Sequence, residues 1–576
     1  MNKLKYTATL KVLLLFYWCS SLIYTDSYYS PYLAIGILGT GAILYNYKIY
    51  REETNHQYDR LLTEICAVIL SLTVVLANYK MFTGPYTNLY SIMRKGMACI
   101  LLIIGGYSIF REILCMVVSV RWLKGMEEKK HESRTSFFVI MFMSFVTVNL
   151  IVLFGAHYPG VLTADSISQM TQLLTHSYSN HHPYYHTQII HMVICIGLWI
   201  FKDINKAIAC YSVFSILVMA CCFTYVLKTI DQIAKKRLLT IAVFLWYLIM
   251  PFHIMYSFTM WKDIFFGAVV TCFVVGIYRV LREFDRKRID IFITVVSAVG
   301  ICLLRSNGWV AFLVSTVVFV VLFGKKKKRW ALTFFIILAF TFVLKHSVLQ
   351  AIGVKQPDTI ESLSIPAQQI ARVVADGKPL SEEQKNLLNQ VIEVERIPEV
   401  YTDFISDPVK NLVREKNNQE YLHTHRNDFI KLYLQLGLKY PHKYIEAWID
   451  QTKGYWNGGY SYWKWADGIY DNSFRIQHTI YSSNINVAIT DYLNLWETVP
   501  LLQLFLSIGF HVWILLITTY FSICRRNKLT FFITVPFLAI IFSLLIATPV
   551  AWEFRYIYSL FCGLPFVVVA VFGDEK

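Results

Sequence analysis

Charge is scarce in this chain. Asp, Glu, Lys and Arg together make up 16% of its 576 residues, against about 25% in a typical soluble domain. Strand-length apolar runs bounded by turn signals are also missing, which removes a soluble α/β fold. What fills the space is apolar runs of about 17–25 residues, the length that crosses a bilayer. Hydrophobic residues reach 56%, aromatic residues 16%, and the mean hydropathy is +0.46. These features predict an all-α polytopic membrane protein. It should have about 14 spanning helices, a short re-entrant or tilted segment, and an α-rich extracytoplasmic domain.

A disulfide or zinc framework is absent as well. There is no CxxC, and no Cys/His spacing of a zinc site. The 12 cysteines lie in or beside apolar runs, as Cys19, Cys66, Cys221 and Cys222 do, and the polar stretch 351–498 has none. They read as buried thiols packing like small apolar residues. Internal repeats and low-complexity tracts are missing too.

The net charge of +16 does not point to nucleic acid. The 351–498 stretch carries 15 Lys+Arg and 19 Asp+Glu, so the basic excess lies in short loops such as "RWLKGMEEKKHESR", "REFDRKR" and "GKKKKRW". Basic short loops mark the cytoplasmic side of a membrane protein and attract anionic lipid headgroups. The charge therefore reports topology, and membrane lipids are the expected neighbours.

Candidate spans are 7–24, 31–47, 61–81, 97–120, 136–157, 187–201, 206–228, 238–256, 261–281, 289–304, 307–324, 330–350, 499–522, 529–548 and 551–572. The first follows a basic start without a clear cleavage site and reads as a retained signal anchor. Threading the basic loops to one side puts both termini in the cytoplasm, in a plasma-membrane setting. Loop 158–186 and the domain 351–498 then fall outside. On this threading the short 187–201 segment begins and ends on that same outer face, so it dips and returns or lies tilted; the alternative is that one basic loop breaks the charge rule. The resulting divisions are 1–135 as an N-terminal transmembrane addition, 136–350 as the main module with outer loop 158–186, 351–498 as the outer domain, and 499–576 as C-terminal spans. Within the outer domain, Ser381 and Gln384 form a capping-box signature. "KYPHKY" marks a helix break. The aromatic stretch "KGYWNGGYSYWKWADGIYDNSF" reads as a loop packed on the membrane interface, with a sugar-stacking platform as the sharper alternative.

The same threading gathers polar clusters at the outer face. "GVLTADSISQMTQLLTHSYSNHHPYYHTQ" (160–188) has no Lys or Arg, one acid, Asp165, and four histidines, His176, His181, His182 and His186. Asp165 is either a helix cap or a general base, its pKa raised near an apolar boundary. His182 and His186 have HxxxH spacing, but Pro183 restricts a helix there, so no metal ligand is assigned and a divalent metal is left open. Hydrogen bonding by His181 and His182 to a phosphate or hydroxyl fits better. Lys262 and Asp263 open one span in "MWKD", and Arg305 and Asn307 interrupt another in "LRSNGW". Glu553, Arg555 and Tyr556 stand in "AWEFRYIY". Intramembrane arginines have partners or roles: helix-holding ion pairs, or a bidentate phosphate grip.

"YPGVLTADSISQ…HHPYYHTQI", followed in order by "MWKD", "LRSNG" and "EFRY", resembles the GT-C glycosyltransferases, which take sugars from polyprenyl-phosphate carriers. The later motifs resemble those of a bacterial branch of them. The resemblance covers roughly 136–350 and 499–572. It implies Asp165 as general base toward an acceptor hydroxyl. Lys262, Arg305 and Arg555 would stabilise the phosphate leaving group, with Asp263, Asn307, Glu553, His181, His182 and Tyr556 completing the substrate site. The implied partners are a polyprenyl-phosphate sugar donor and a glycan, lipid or protein acceptor. One departure stands out: many family members carry two adjacent acids in this loop, and here Ser166 follows Asp165. A transporter or flippase for lipid-linked sugars is the main rival, and a ligase of whole glycans a third reading.

Overall fold

A computed structural model describes residues 32–50, 60–83, 89–119, 135–234, 237–284, 287–459 and 465–573, together with Lys11, Leu15 and Trp18. The described residues form helices joined by short connections, with only isolated β-bridges between loops. Among the described residues, ten helices are long and apolar enough to cross a membrane, or eleven if one bent pair counts as a single span. That is fewer than expected from the apolar runs. The 499–522 run is two helices, Pro500–Leu506 and Ile508–Cys524, broken where the Ser507 side chain accepts from the Phe510 N–H. The helix Lys287–Leu304 opens with Lys287, Arg288 and Asp290 and is too charged to qualify. The expected anchor at 7–24 lies almost wholly outside the described residues.

The elements that place the site are few. Helix α1 (Thr135–Ala156) ends at a loop that leads into α2 (Ala164–Thr175). Helix α3 (Tyr184–Phe201) follows, then α4 (Ile204–Ala234), α5 (Arg237–Ile249), α6 (Pro251–Ser257) and α7 (Lys262–Leu281). Helix α7 is the most enclosed of the candidate spans, with 83% of its apolar window buried. It packs on α4, on the helix Lys287–Leu304 and on the last helix, Tyr558–Gly573.

The 187–201 segment is not a dip. It belongs to α3, one unbroken 18-residue helix, because every residue from Tyr184 to Phe201 accepts helical geometry and Pro183 stands just before it. Its His186 meets Tyr211 of α4, and its Gly197 rests on Ala207. The break lies elsewhere: α5 and α6 meet at 57° around Met250 and Pro251.

The polar stretch 351–498 has its own core of Ile360, Val373, Leu388, Ile397, Val409, Leu412 and Leu436, among others. Its local signals hold. The Ser381 hydroxyl accepts from the Gln384 N–H, and helices Arg426–Lys439 and Pro441–Thr452 break at Tyr440. Of the aromatic stretch, Tyr455 and Trp456 are buried, and Trp456 stacks on Trp448 and accepts from Trp513. They pack rather than present faces to solvent. A cavity of about 400 Å³ lies inside this domain, walled by Ile370, Leu388, Val409 and Phe429, with exposed His423 and Arg426 at its edge.

Candidate active site

The chain between α1 and α2 runs extended and is gripped on two sides. Val161 N–H donates to Phe258 O, and Met260 N–H returns to Val161 O at 3.0 Å. On its other side Leu162 N–H donates to Gly468 O, and Tyr470 N–H to Leu162 O at 2.8 Å. Gly160 makes this possible. Its φ is +141°, and a Cβ there would lie 2.1 Å from Ser212 Oγ, so only glycine fits.

Helix α2 then starts with Thr163 as its extended N-cap, not Asp165. The Ser166 hydroxyl accepts from the Thr163 N–H at 3.1 Å and donates to Met260 O at 2.8 Å. Trp261 Nε1 donates to Thr163 Oγ1 at 2.8 Å. With capping done by Thr163 and Ser166, the Asp165 carboxylate is left free to face the centre.

It faces cations. Arg555 Nη1 donates to Asp165 Oδ2 at 2.5 Å, and Arg555 Nε lies 3.5 Å from Glu553 Oε1. The guanidinium lies over the Trp261 ring at 5.0 Å and the Tyr556 ring at 5.4 Å. Arg305 caps the helix Ser306–Phe323, donates to Asp263 Oδ1 at 2.6 Å and to Tyr556 O at 3.1 Å, and its guanidinium also lies over the Tyr556 ring, at 4.9 Å. Lys262, beside Asp263 at the start of α7, donates to His182 Nδ1 at 3.3 Å. His181 meets His182 edge to face. Asp165, His181, His182, Lys262, Asp263, Arg305, Glu553, Arg555 and Tyr556, distant in the sequence, are thus brought together.

One expected residue is not. Asn307 Nδ2 donates to Ser543 Oγ at 2.9 Å, tying its helix to Val535–Ala547. It lies past the break at Arg305, where the new helix turns its first residues toward that neighbour. The His182/His186 pair is no metal site either. Both ring nitrogens of buried His186 are engaged, Nδ1 with Gln169 and Nε2 with Tyr211 OH at 3.0 Å.

The expected raised pKa of Asp165 is also reversed. Burial pushes it up, but Arg555, Lys262 and His182 outweigh burial and hold it well below the usual carboxylate range. Asp165 is therefore ionised throughout the physiological range. Glu553, which precedes the span beginning at Phe554, is pushed up by burial, against the pull of Arg555. Burial pushes His182 down to about 3, with Lys262 adding to it, so the imidazole is neutral and able to accept from the ammonium. Asp165 and Glu553, from separate segments, flank one guanidinium.

Two residues that sequence reasoning passed over hold the walls. Tyr455 OH accepts from the Glu553 N–H at 3.0 Å and donates to Val550 O at 3.0 Å. Gln451 Nε2 donates to Thr548 O at 2.9 Å. Both belong to the polar domain, and both grip the segment that carries Glu553 and Arg555. The domain also bonds the histidine loop, through Asn180 N–H to Lys355 O at 2.8 Å. The signal for Tyr455 was only that 453–474 is aromatic, and Gln451, just before that stretch, had none.

A family model described as a family of unknown function (DUF6020) matches residues 48–576, and the chain belongs to that family. The match takes in most of the N-terminal segment 1–135 along with the rest. No curated protein and no solved structure matches the chain.

Proposed function

We propose that this chain is a membrane glycosyltransferase of GT-C type, moving a sugar from a polyprenyl-phosphate carrier to an acceptor at the extracytoplasmic face. The observation that carries the reading is the meeting of Asp165 with Lys262, Arg305 and Arg555, drawn from four separate segments beside the apolar body. A lipid-borne phosphate is the substrate group such a place suits, because its tail remains among the spans while its head meets the cations.

Lys262 and Arg555 receive the phosphate, and Arg305, held by Asp263, fixes Tyr556 beneath it. The acceptor hydroxyl approaches Asp165. Its oxygen forms a bond to the anomeric carbon as the bond from that carbon to the phosphate oxygen breaks. The hydroxyl proton passes to Asp165, and the electron pair leaves with the polyprenyl phosphate, whose added charge is met by the preorganised cations. Donor binding also activates the base. The same cations that depress Asp165 are neutralised by the incoming phosphate, so its basicity rises when the substrate is present.

Asp165→Asn keeps the shape and removes the proton acceptor. Transfer from a radiolabelled polyprenyl-phosphate sugar by the purified chain should fall about 10²–10⁴-fold, far more than the modest, pH-independent loss of stability expected from removing the ion pair with Arg555. Full transfer by that variant ends the base assignment. The bent α5–α6 pair favours a second reading, a flippase for lipid-linked sugars, since transporters build sites at broken helices. Proteoliposomes separate the two: a flippase moves the labelled lipid between leaflets without cleaving it, and a transferase cleaves it.

A further inference from the structure

Beside the candidate active site lies a second cluster that the proposed chemistry does not use. His157 follows α1, while Asp467 and His478 come from the loop of the polar domain that bonds to 158–162. One ligand atom from each, two imidazole nitrogens and a carboxylate oxygen, lie within 4.8 Å of one another. His157 Nδ1 is 3.2 Å from Asp467 Oδ1. In a tetrahedral site with bonds near 2.0–2.1 Å, neighbouring ligand atoms stand about 3.3 Å apart, so this pair is already at ligand spacing.

A second observation points to a ligand. The His157 side chain is 5% exposed; beyond the contact of its Nδ1 with Asp467, its Nε2 makes no hydrogen bond to protein, nor does His478 Nε2. Burying a polar group without a partner is costly, so such a group is expected to have one. His157 is held in place by stacking on Phe258, with the ring of His478 6.0 Å away. Asp467 is 63% exposed and precedes Gly468, whose φ is +69°. Its side chain is the member free to close on an ion.

We propose that His157, Asp467 and His478 form a binding site for a divalent transition metal of the zinc class, with its fourth position open to water. Two imidazoles and one carboxylate are a donor set that such metals take and that Mg²⁺ or Ca²⁺ does not favour. The ion would act as a pin. Tyr158 and Leu162 already pair with Thr479 and Ile469 across the same junction, and the ion would lock the segment leading to Asp165 against the polar domain. The assignment does not rest on the transferase reading, since an inactive Asp165→Asn chain keeps all three ligands.

The test uses the full chain in detergent, carrying no oligohistidine tag. Co²⁺ should bind with one equivalent, give the intense visible absorption of a tetrahedral centre, and be displaced by Zn²⁺. Asp467→Asn, which alters an exposed side chain, and His478→Gln should each weaken Co²⁺ binding by at least about tenfold. Zn²⁺ should slow proteolysis between 465 and 482 in the native chain and not in those variants. Failure to bind Co²⁺ stoichiometrically overturns the site. So does binding that survives both substitutions, which would mark an ion held elsewhere.

Discussion

Helix α7 carries an arginine–aspartate cluster at each end, and the two differ. Arg279, 17 residues beyond Lys262, lies about 25 Å along the axis. Its Nε donates to Asp290 at 2.9 Å, its Nη1 to Thr229 and Gln232, and its guanidinium lies over Phe284. Both charged side chains are almost sealed, at 3% and 2% exposed. At the other end Arg555 and Asp165 are 17% and 31% exposed. Three cations and three acids crowd there with a neutral imidazole. One cluster has a single cation surrounded by enough acceptors to close it. The other holds several charges that a substrate could repartner. Arg305–Asp263, at the same end, is sealed too, at 9% and 1%, so burial of an Arg–Asp pair alone does not separate the two clusters; access at Arg555 and Asp165 does.

The comparison breaks most visibly by mutation of the two arginines. Arg279→Ala leaves Asp290 buried without its cation and should cost about 3–5 kcal/mol, seen as lost monodisperse protein after mild heating. Arg555→Ala should leave the heated protein largely intact and abolish binding of the polyprenyl-phosphate donor. Equal thermal losses would make both clusters scaffold. Within the site, Lys262→Gln should weaken donor binding by about tenfold or more, the loss expected for one hydrogen bond to a charged group, and a direct binding assay reads it.

The two acids around Arg555 sharpen the contrast by pH. Glu553 has its folded-state pKa raised, chiefly by burial. The stability tied to its protonated form is complete below the ordinary glutamate value of about 4.3 and is lost as pH rises through the raised value. Glu553→Gln should therefore melt like the native chain in acid and gain on it toward neutral pH. Asp165 has its folded-state pKa lowered. Its contribution is present above about 3.9 and is lost only as pH falls through the lower value. The gap between Asp165→Asn and the native chain should stay flat where the Glu553→Gln gap opens. Melting curves from pH 5 to 8 compare them, and a parallel response of both variants would remove the assigned difference.

The membrane class was legible because long apolar runs and basic loops survive any detail of packing. The site's members were legible because charge inside an apolar run is costly and so stands out, as at Lys262, Arg305 and Arg555. Three things were not. The sign of the Asp165 shift depends on how near Arg555 comes, and that contact crosses 390 residues of sequence. The Arg279–Asp290 cluster was hidden because both residues sit where basic loops meet helices and read as topology. His157, Asp467 and His478 carry no spacing signal, since the loop bonds that unite them are made by main-chain atoms of any residue type. The count of described spans fell for several reasons: a serine such as Ser507 breaks an apolar helix without altering its hydropathy, charge opens Lys287–Leu304, and Pro251 bends another run.

Asn307 gives the smallest effect and the cleanest check on that last point. Read from the sequence it shares a polar island with Arg305; in the fold, two residues of a new helix separate their directions. Its one bond joins Ser543 on a neighbouring span. Asn307→Ala should lower stability by about 0.5–1.5 kcal/mol and leave donor affinity unchanged, while Ser543→Ala should do the same. In the double variant the two losses should not add, because the pair shares one interaction. Weakened donor binding in Asn307→Ala alone would return this residue to the site, and would mean that Arg305 and Asn307 act together after all.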